Sequence, residues 1–210
     1  PLFAYASADR SPQIILSSFS GVVHQKLNHG DLTSRLPLHR SSGVCAFEAG
    51  KSNVLCVSLD GSRRHVNLSF PKSNGDMVGF HIAGNGAYAI AAFAKGYVVK
   101  VALTEAGASE VWTAKYLKEG ERAVASAHSG GGALKAVALL TKSRVIIARE
   151  GAPEVAEVKT SDLHQGQWDY EAAGMEFTND GLVVANGTGT VFLLGVREKG
   201  GGWWDKVVVE

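Results

Sequence analysis

Leu182-Val183-Val184-Ala185-Asn186-Gly187-Thr188-Gly189-Thr190-Val191-Phe192-Leu193-Leu194 reads as two short apolar strands joined by a tight turn. The runs are β-branched and aliphatic, and the turn between them is made of residues that tolerate the positive φ a hairpin demands. The same order of apolar run, turn and second run recurs in Ile14–Val23, Val54–Gly61, Tyr88–Val99 and Ala136–Ile147. The turn positions Gly21, Gly61, Gly96, Ser143 and Gly189 lie 40, 35, 47 and 46 residues apart.

A unit of that length built from strands and hairpins predicts a β-propeller. Each copy parses as up to four strands. First strands are expected over Leu2–Ser7, Gly43–Glu48, Met77–Ile82, Ala123–His128 and Ala172–Phe177, each followed by a turn of small and polar residues such as Gly84-Asn85-Gly86 or Asn179-Asp180-Gly181. Fourth strands are expected over Leu32–Leu38, Glu110–Tyr116, Val155–Val158 and Trp203–Val209. The second copy leaves only Phe70–Gly75 for its own, so that strand is missing or very short. Second strands such as Ala87–Phe93 are apolar on both sides, as expected of strands covered by a sheet on each face. Glu154-Val155-Ala156-Glu157-Val158-Lys159 carries the charge of an outer edge. The fold class is therefore all-β: a propeller of five visible four-stranded blades with limits at 1–42, 43–76, 77–122, 123–171 and 172–210. Trp203–Val209 also offers a strand to close the array beside Leu2–Tyr5.

Gly181–Leu194 and Gln13–Leu27 resemble the second strand, turn and third strand of the WD40 class, and the likeness extends over the whole chain. The departures are specific. Where that family ends its third strand on Trp-Asp, this chain has Lys26-Leu27, Val66-Asn67, Val101-Ala102, Ala148-Arg149 and Leu194-Gly195, and it has no Gly-His dipeptide. The family's Asp-His-Ser/Thr-Trp network is not legible. The resemblance implies a rigid scaffold for protein partners, and a ring of seven blades, the family's commoner count, with two more than the five read here.

Composition narrows function more by exclusion than by signature. A net charge of +1 gives no global attraction to nucleic acid or acidic membranes. No apolar run approaches the roughly 18 residues of a membrane-spanning helix. Cys45 and Cys56 fall in neighbouring strands, where they are either buried thiols or a staple across one hairpin. So few cysteines suit a reducing compartment, which points to an intracellular protein, cytoplasmic or nuclear. The sequons at Asn67 and Asn186 fit turn and strand roles as well as glycosylation.

No reaction is spelled out. The seven histidines (His24, His29, His39, His65, His81, His128, His164) are scattered without ligand spacing, so no metal or other cofactor is expected. Gly130-Gly131-Gly132 and Gly200-Gly201-Gly202 precede strands, not the helix a phosphate loop needs. Asp9, Glu48, Asp76, Glu121 and Glu171 are not equivalently placed across the copies, as a channel-lining acid pair would be. A non-catalytic scaffold in a multiprotein complex is the expected function. The alternatives are a propeller enzyme or ligand-binding domain using the central channel, or a nucleic-acid-associated subunit. Two regions are candidate interaction surfaces. One is basic: Arg35, His39 and Arg40, joined a unit later by Arg63 and Arg64. The other is the polar connection 161–171 with His164, Trp168 and Tyr170, aromatic side chains of the kind enriched at binding hot spots.

Overall fold

The computed structural model describes most of residues 68–195 with their side chains, except 69, 82–86, 105–106, 130–134 and 179–180. It describes strand and register alone for 2–6, 13–18, 23–28, 39–40, 43–47, 53–58, 63–67, 82–83, 196–199 and 203–209. These residues form five antiparallel sheets in chain order.

The first sheet is β1 (Leu2–Ala6), β2 (Gln13–Ser18) and β3 (Val23–Asn28). The second is β4 (His39–Arg40), β5 (Gly43–Phe47), β6 (Asn53–Ser58) and β7 (Arg63–Asn67), with Cys45 opposite Cys56 in the β5–β6 register. Its very short strand therefore stands before β5 at one edge, while β7 forms the other. Residues Leu68–Asp76 that follow contain a 3-10 turn (Lys72–Asn74) and no strand among those described. The expected strand over Leu32–Leu38 lies outside the described residues.

The third sheet comprises β8 (Met77–Ala83), β9 (Tyr88–Phe93), β10 (Tyr97–Thr104) and β11 (Gly107–Lys115). Its last hairpin is tighter than the sequence suggested, because β10 continues through Thr104 and β11 begins at Gly107. The fourth comprises β12 (Ala123–His128), β13 (Ala136–Thr141), β14 (Arg144–Arg149) and β15 (Val155–Lys159). A single helical turn, α1 (Thr160–Leu163), then opens the connection to the fifth sheet. That sheet is β16 (Gly174–Phe177), β17 (Leu182–Ala185), β18 (Val191–Lys199) and β19 (Trp203–Val209). β19 pairs with β18 and completes its own sheet, whereas β1 belongs to the first. The pairing of Trp203–Val209 with Leu2–Tyr5 is thus not observed: a local hairpin closes with far less loss of chain entropy than an end-to-end pairing.

By compactness the chain divides into Pro1–Pro71 with Phe80–Ala89 and Val101–Ser109, and Lys72–Gly79 with Ile90–Lys100 and Glu110–Glu210. In the first, Leu68, Phe80, Ala89 and Leu103 are buried. The second holds the larger described core. There β13 is buried at every position, and a two-residue period sorts its neighbours onto two faces. Ala125, Ala127, Ala136, Ala138, Leu140, Val145 and Ile147 form one cluster with Leu182, Val184, Phe192 and Leu194 of the fifth sheet. Ser126, His128, Val137, Leu139, Ile146 and Ala148 occupy the opposite face, as the register His128↔Val137↔Ala148 requires. In β17, by contrast, Val183 and Ala185 on the face away from the cluster are only half-buried. Burying each Leu or Ile contributes about 1.5–3 kcal/mol, which makes this apolar cluster the main stabilising element described. The outer strands β11 and β15 are mostly exposed or half-exposed, as their charges foretold.

Among the described residues no helix is long and apolar enough to cross a membrane.

Candidate functional site

The turns that betray the repeat in sequence also hold the connections between sheets. Between β9 and β10, Ala94 donates its N–H to Asp76 O and accepts from Ala123 N–H, while Gly96 O accepts from Tyr116 N–H. The approach at Gly96 is so close, at φ 82°, that a Cβ there would lie 2.4 Å from the Leu117 side chain and 2.8 Å from its backbone nitrogen. Between β13 and β14 the hydroxyl of Thr141 accepts from the N–H groups of Ser143 (3.2 Å) and Arg144 (3.1 Å). Ser143 O there receives Thr160 N–H, and Lys142 O receives the hydroxyls of Thr160 and Tyr170. Between β17 and β18 the buried Asn186 does this with its amide: Oδ1 accepts from Asp169 and Thr188 N–H, and Nδ2 donates to Gln167 O. The side chain of this buried asparagine is committed to the turn, which is the structural reading of the Asn186 sequon.

Residues 160–173 are therefore pinned from two sides, by Lys142 of the fourth sheet and Asn186 of the fifth. On that frame stands a stack of rings. Trp168 stacks with Tyr170 (centroids 5.5 Å, planes 14° apart) and with Phe192 (5.7 Å, 24°). His164 packs edge-on to Trp168 at 6.5 Å and against Phe192 at 6.1 Å. Phe192 is buried, whereas His164, Trp168 and Tyr170 are half-buried, so the stack runs from core to surface. The Trp168 indole N–H points to His164 O, and the Tyr170 hydroxyl donates to Lys142 O at 2.7 Å. Asp162, Gln165, Gly166, Gln167 and Glu171 around it are exposed.

On the other side of the fourth sheet lies a buried ionic cluster. Glu150 accepts from Lys100 of β10 and shares a 2.5 Å hydrogen bond with His128 Nε2 at the end of β12. Burial opposes ionisation of Glu150, but the hydrogen bonds from His128 and Lys100 outweigh it and hold the carboxyl at about 2. Nearby, Tyr116 donates to Arg149 O, and burial pushes its phenol up to about 12. A histidine–carboxylate pair is half of many hydrolytic sites, but here the His128 side chain is 1% exposed and the carboxylate is already neutralised by lysine. The arrangement joins the third and fourth sheets through buried charge. Arg144 similarly bridges Glu121 and Glu157, and its guanidinium holds Glu121 below the usual carboxylate range.

The structure brings three of the eight sequence-predicted surface residues together: His164, Trp168 and Tyr170. Arg35 lies outside the described residues, His39 and Arg40 are placed as β4, and Arg63 and Arg64 as β7. Of the acidic candidates, Asp76 pairs with Arg122 and Glu121 with Arg144; Glu171 is exposed, and Asp9 and Glu48 lie outside the described residues. Among the described residues no group of three His, Cys, Asp or Glu side chains is gathered for a metal. Two participants had no reading from sequence: Phe192, distant in the chain from its ring partners, and Glu150, which looked like the start of a turn. The one available signal was Lys100, a lone charge inside the apolar run Val98–Val101.

Successive antiparallel sheets of up to four strands, one after another along the chain, are the units of a β-propeller, and the expected fold class stands. The β-propeller domain of Cps50 (Swd1) from Myceliophteria thermophila is similar, with TM-score 0.67 and 16% identity over 98% of this chain and 66% of that one. Selenomethionine-substituted virginiamycin B lyase from Staphylococcus aureus is similar at TM-score 0.54 and 13% identity, over 85% of this chain and 57% of that one. This chain thus spans less than two thirds of either length. No protein-family model and no curated protein matches the sequence. At such identities the likeness is one of fold.

Proposed function

We propose that the chain is a non-catalytic propeller scaffold that binds protein partners within a multiprotein complex. The observation that carries this reading is the ring stack at 160–173, which surfaces beside exposed polar residues instead of ending in the core. Aromatic side chains held rigidly at a surface lose little entropy on binding, and they are enriched at hot spots for that reason. The β-propeller neighbour Cps50 (Swd1) supports the fold on which such a scaffold is built. In this reading the five units act as one array with the limits given above, and Arg35, His39, Arg40, Arg63 and Arg64 form a second contact region by their charge. Location inside the cell, in cytoplasm or nucleus, is part of the same proposal and follows from the sparse cysteines.

Native purification from the source organism tests it. The expected result is elution with stoichiometric protein partners, well above the 22.1 kDa of this chain. Elution alone, or with stoichiometric metal and turnover of a small substrate, overturns the scaffold reading.

A further inference from the structure

We propose that the 160–173 connection docks a basic, arginine- or lysine-bearing segment of a protein partner; this rests on the scaffold reading above and names the chemistry of one partner. Two independent features of the surface favour a cation. The first is the direction of the stack. Phe192 is buried and stacks with Trp168, which stacks in turn with Tyr170, so the half-exposed ring of Tyr170 carries the stack to the surface. The face of an aromatic ring is the negative pole of its quadrupole and attracts guanidinium or ammonium groups within about 6 Å.

The second feature is charge. Residues 160–173 contain Asp162, Asp169 and Glu171 and neither lysine nor arginine. Asp169 is committed to the N–H groups of Glu171 (3.0 Å) and Ala172 (3.4 Å), which fixes the chain beside Tyr170. Asp162 and Glu171 are exposed, and Asp162 accepts a long hydrogen bond from the Ser161 hydroxyl at 3.5 Å. Two lysines flank the platform: Lys142, whose carbonyl anchors Tyr170, and Lys159, which immediately precedes α1. Rings and carboxylates together complement a positively charged, extended segment, and a neutral or acidic one gains nothing from the carboxylates.

The platform is also ready-made. Gly187 comes so near the connection that a Cβ would meet Asp169 O at 2.6 Å and the Ala172 methyl at 2.8 Å, and Asn186 holds both sides. Binding therefore does not have to order the loop first.

The test is fluorescence anisotropy of the whole chain with a labelled peptide of alternating arginine and lysine spaced by glycine. Its citrulline/acetyl-lysine and glutamate counterparts serve as the other two probes. The expected result is salt-sensitive binding of the basic peptide only, weakened about tenfold by Asp162→Lys with Glu171→Lys and by Tyr170→Leu. Glu154→Lys, beyond the other end of β14, should leave it unchanged. The proposal is overturned if the basic peptide does not bind, if the neutral or acidic peptide binds as well, or if the charge-reversed variant binds like the parent. Glu154→Lys weakening binding as much as the pair would overturn it too. Loss of this result with the native assembly intact removes the docking site and leaves the scaffold; a chain found alone removes the scaffold itself.

Discussion

The two faces of the fourth sheet meet their neighbours by opposite chemistry. Toward the third sheet, Lys100, Glu150 and His128 close the seam with buried charge. Toward the fifth, small and branched apolar side chains interlock, and Trp168 and Phe192 cap the end. A period of two along β12 and β13 separates the faces, so adjacent residues such as Ala127 and His128 serve different seams. The lesson is that a repeat array needs each seam sealed but leaves the chemistry free. Apolar packing tolerates loss in proportion to volume, whereas a buried ion cluster fails as a unit when one member goes.

The largest effect should come from breaking the ionic seam. Glu150→Ala leaves Lys100 and His128 buried without their shared carboxylate and should cost about 3–5 kcal/mol in chemical denaturation. Acid should act in the same direction. The folded-state pKa of Glu150, about 2, lies below its usual value of 4.5, so its contribution is complete above roughly pH 5 and is lost as pH falls toward 2. The loss should be on the order of 3 kcal/mol, and a Glu150→Gln chain should lack that segment of the pH–stability curve. If parent and variant curves run parallel from pH 6 to 2, the ionic seam does not stabilise the fold.

Leu182→Ala probes the opposite face. Leu182 is fully buried in the shared cluster, and its truncation should cost about 3 kcal/mol through lost transfer energy and a residual cavity. The cost should not vary between pH 3 and 8, since no titrating group of the cluster changes charge there. A strongly pH-dependent loss would erase the distinction between the two seams.

Sequence showed the array well and the seams poorly, for a physical reason. Strands and turns are local, so Gly96, Ser143 and Asn186–Gly189 mark the repeat wherever they fall. His164, Trp168 and Tyr170 were legible together because seven consecutive residues of one connection carry them. The ionic seam joins residues 100, 128 and 150, each ordinary in its own strand or turn, and only tertiary pairing reveals them. The resemblance to WD40 repeats weakened at the same point. The connections are held here by a close glycine contact at Gly96, a hydroxyl at Thr141 and an amide at Asn186, three solutions that share a place and no residue type.

That variety can itself be tested. Asn186→Ala removes an acceptor for two part-buried N–H groups and a donor to Gln167, and should cost about 2 kcal/mol. Because Asn186 holds residues 167–169, the same change should loosen Trp168, seen as faster amide exchange in 160–173 with little effect near Gly96. Exchange rising equally at both turns would mean that the seams unfold together and are not separately held.

The smallest effect belongs to Arg122 and Asp76, paired at 2.6 Å but 69% and 81% exposed. They join the segment before β8 to the one before β12, next to the backbone bonds at Ala94. Exposure limits what the pair contributes: water screens the attraction, and two mobile side chains must be held for it. Arg122→Ala should change stability by about 0.5 kcal/mol or less, and less still in 0.5 M salt. A loss approaching that of Glu150→Ala would show that charge alone, and not its burial, governs how these sheets are joined.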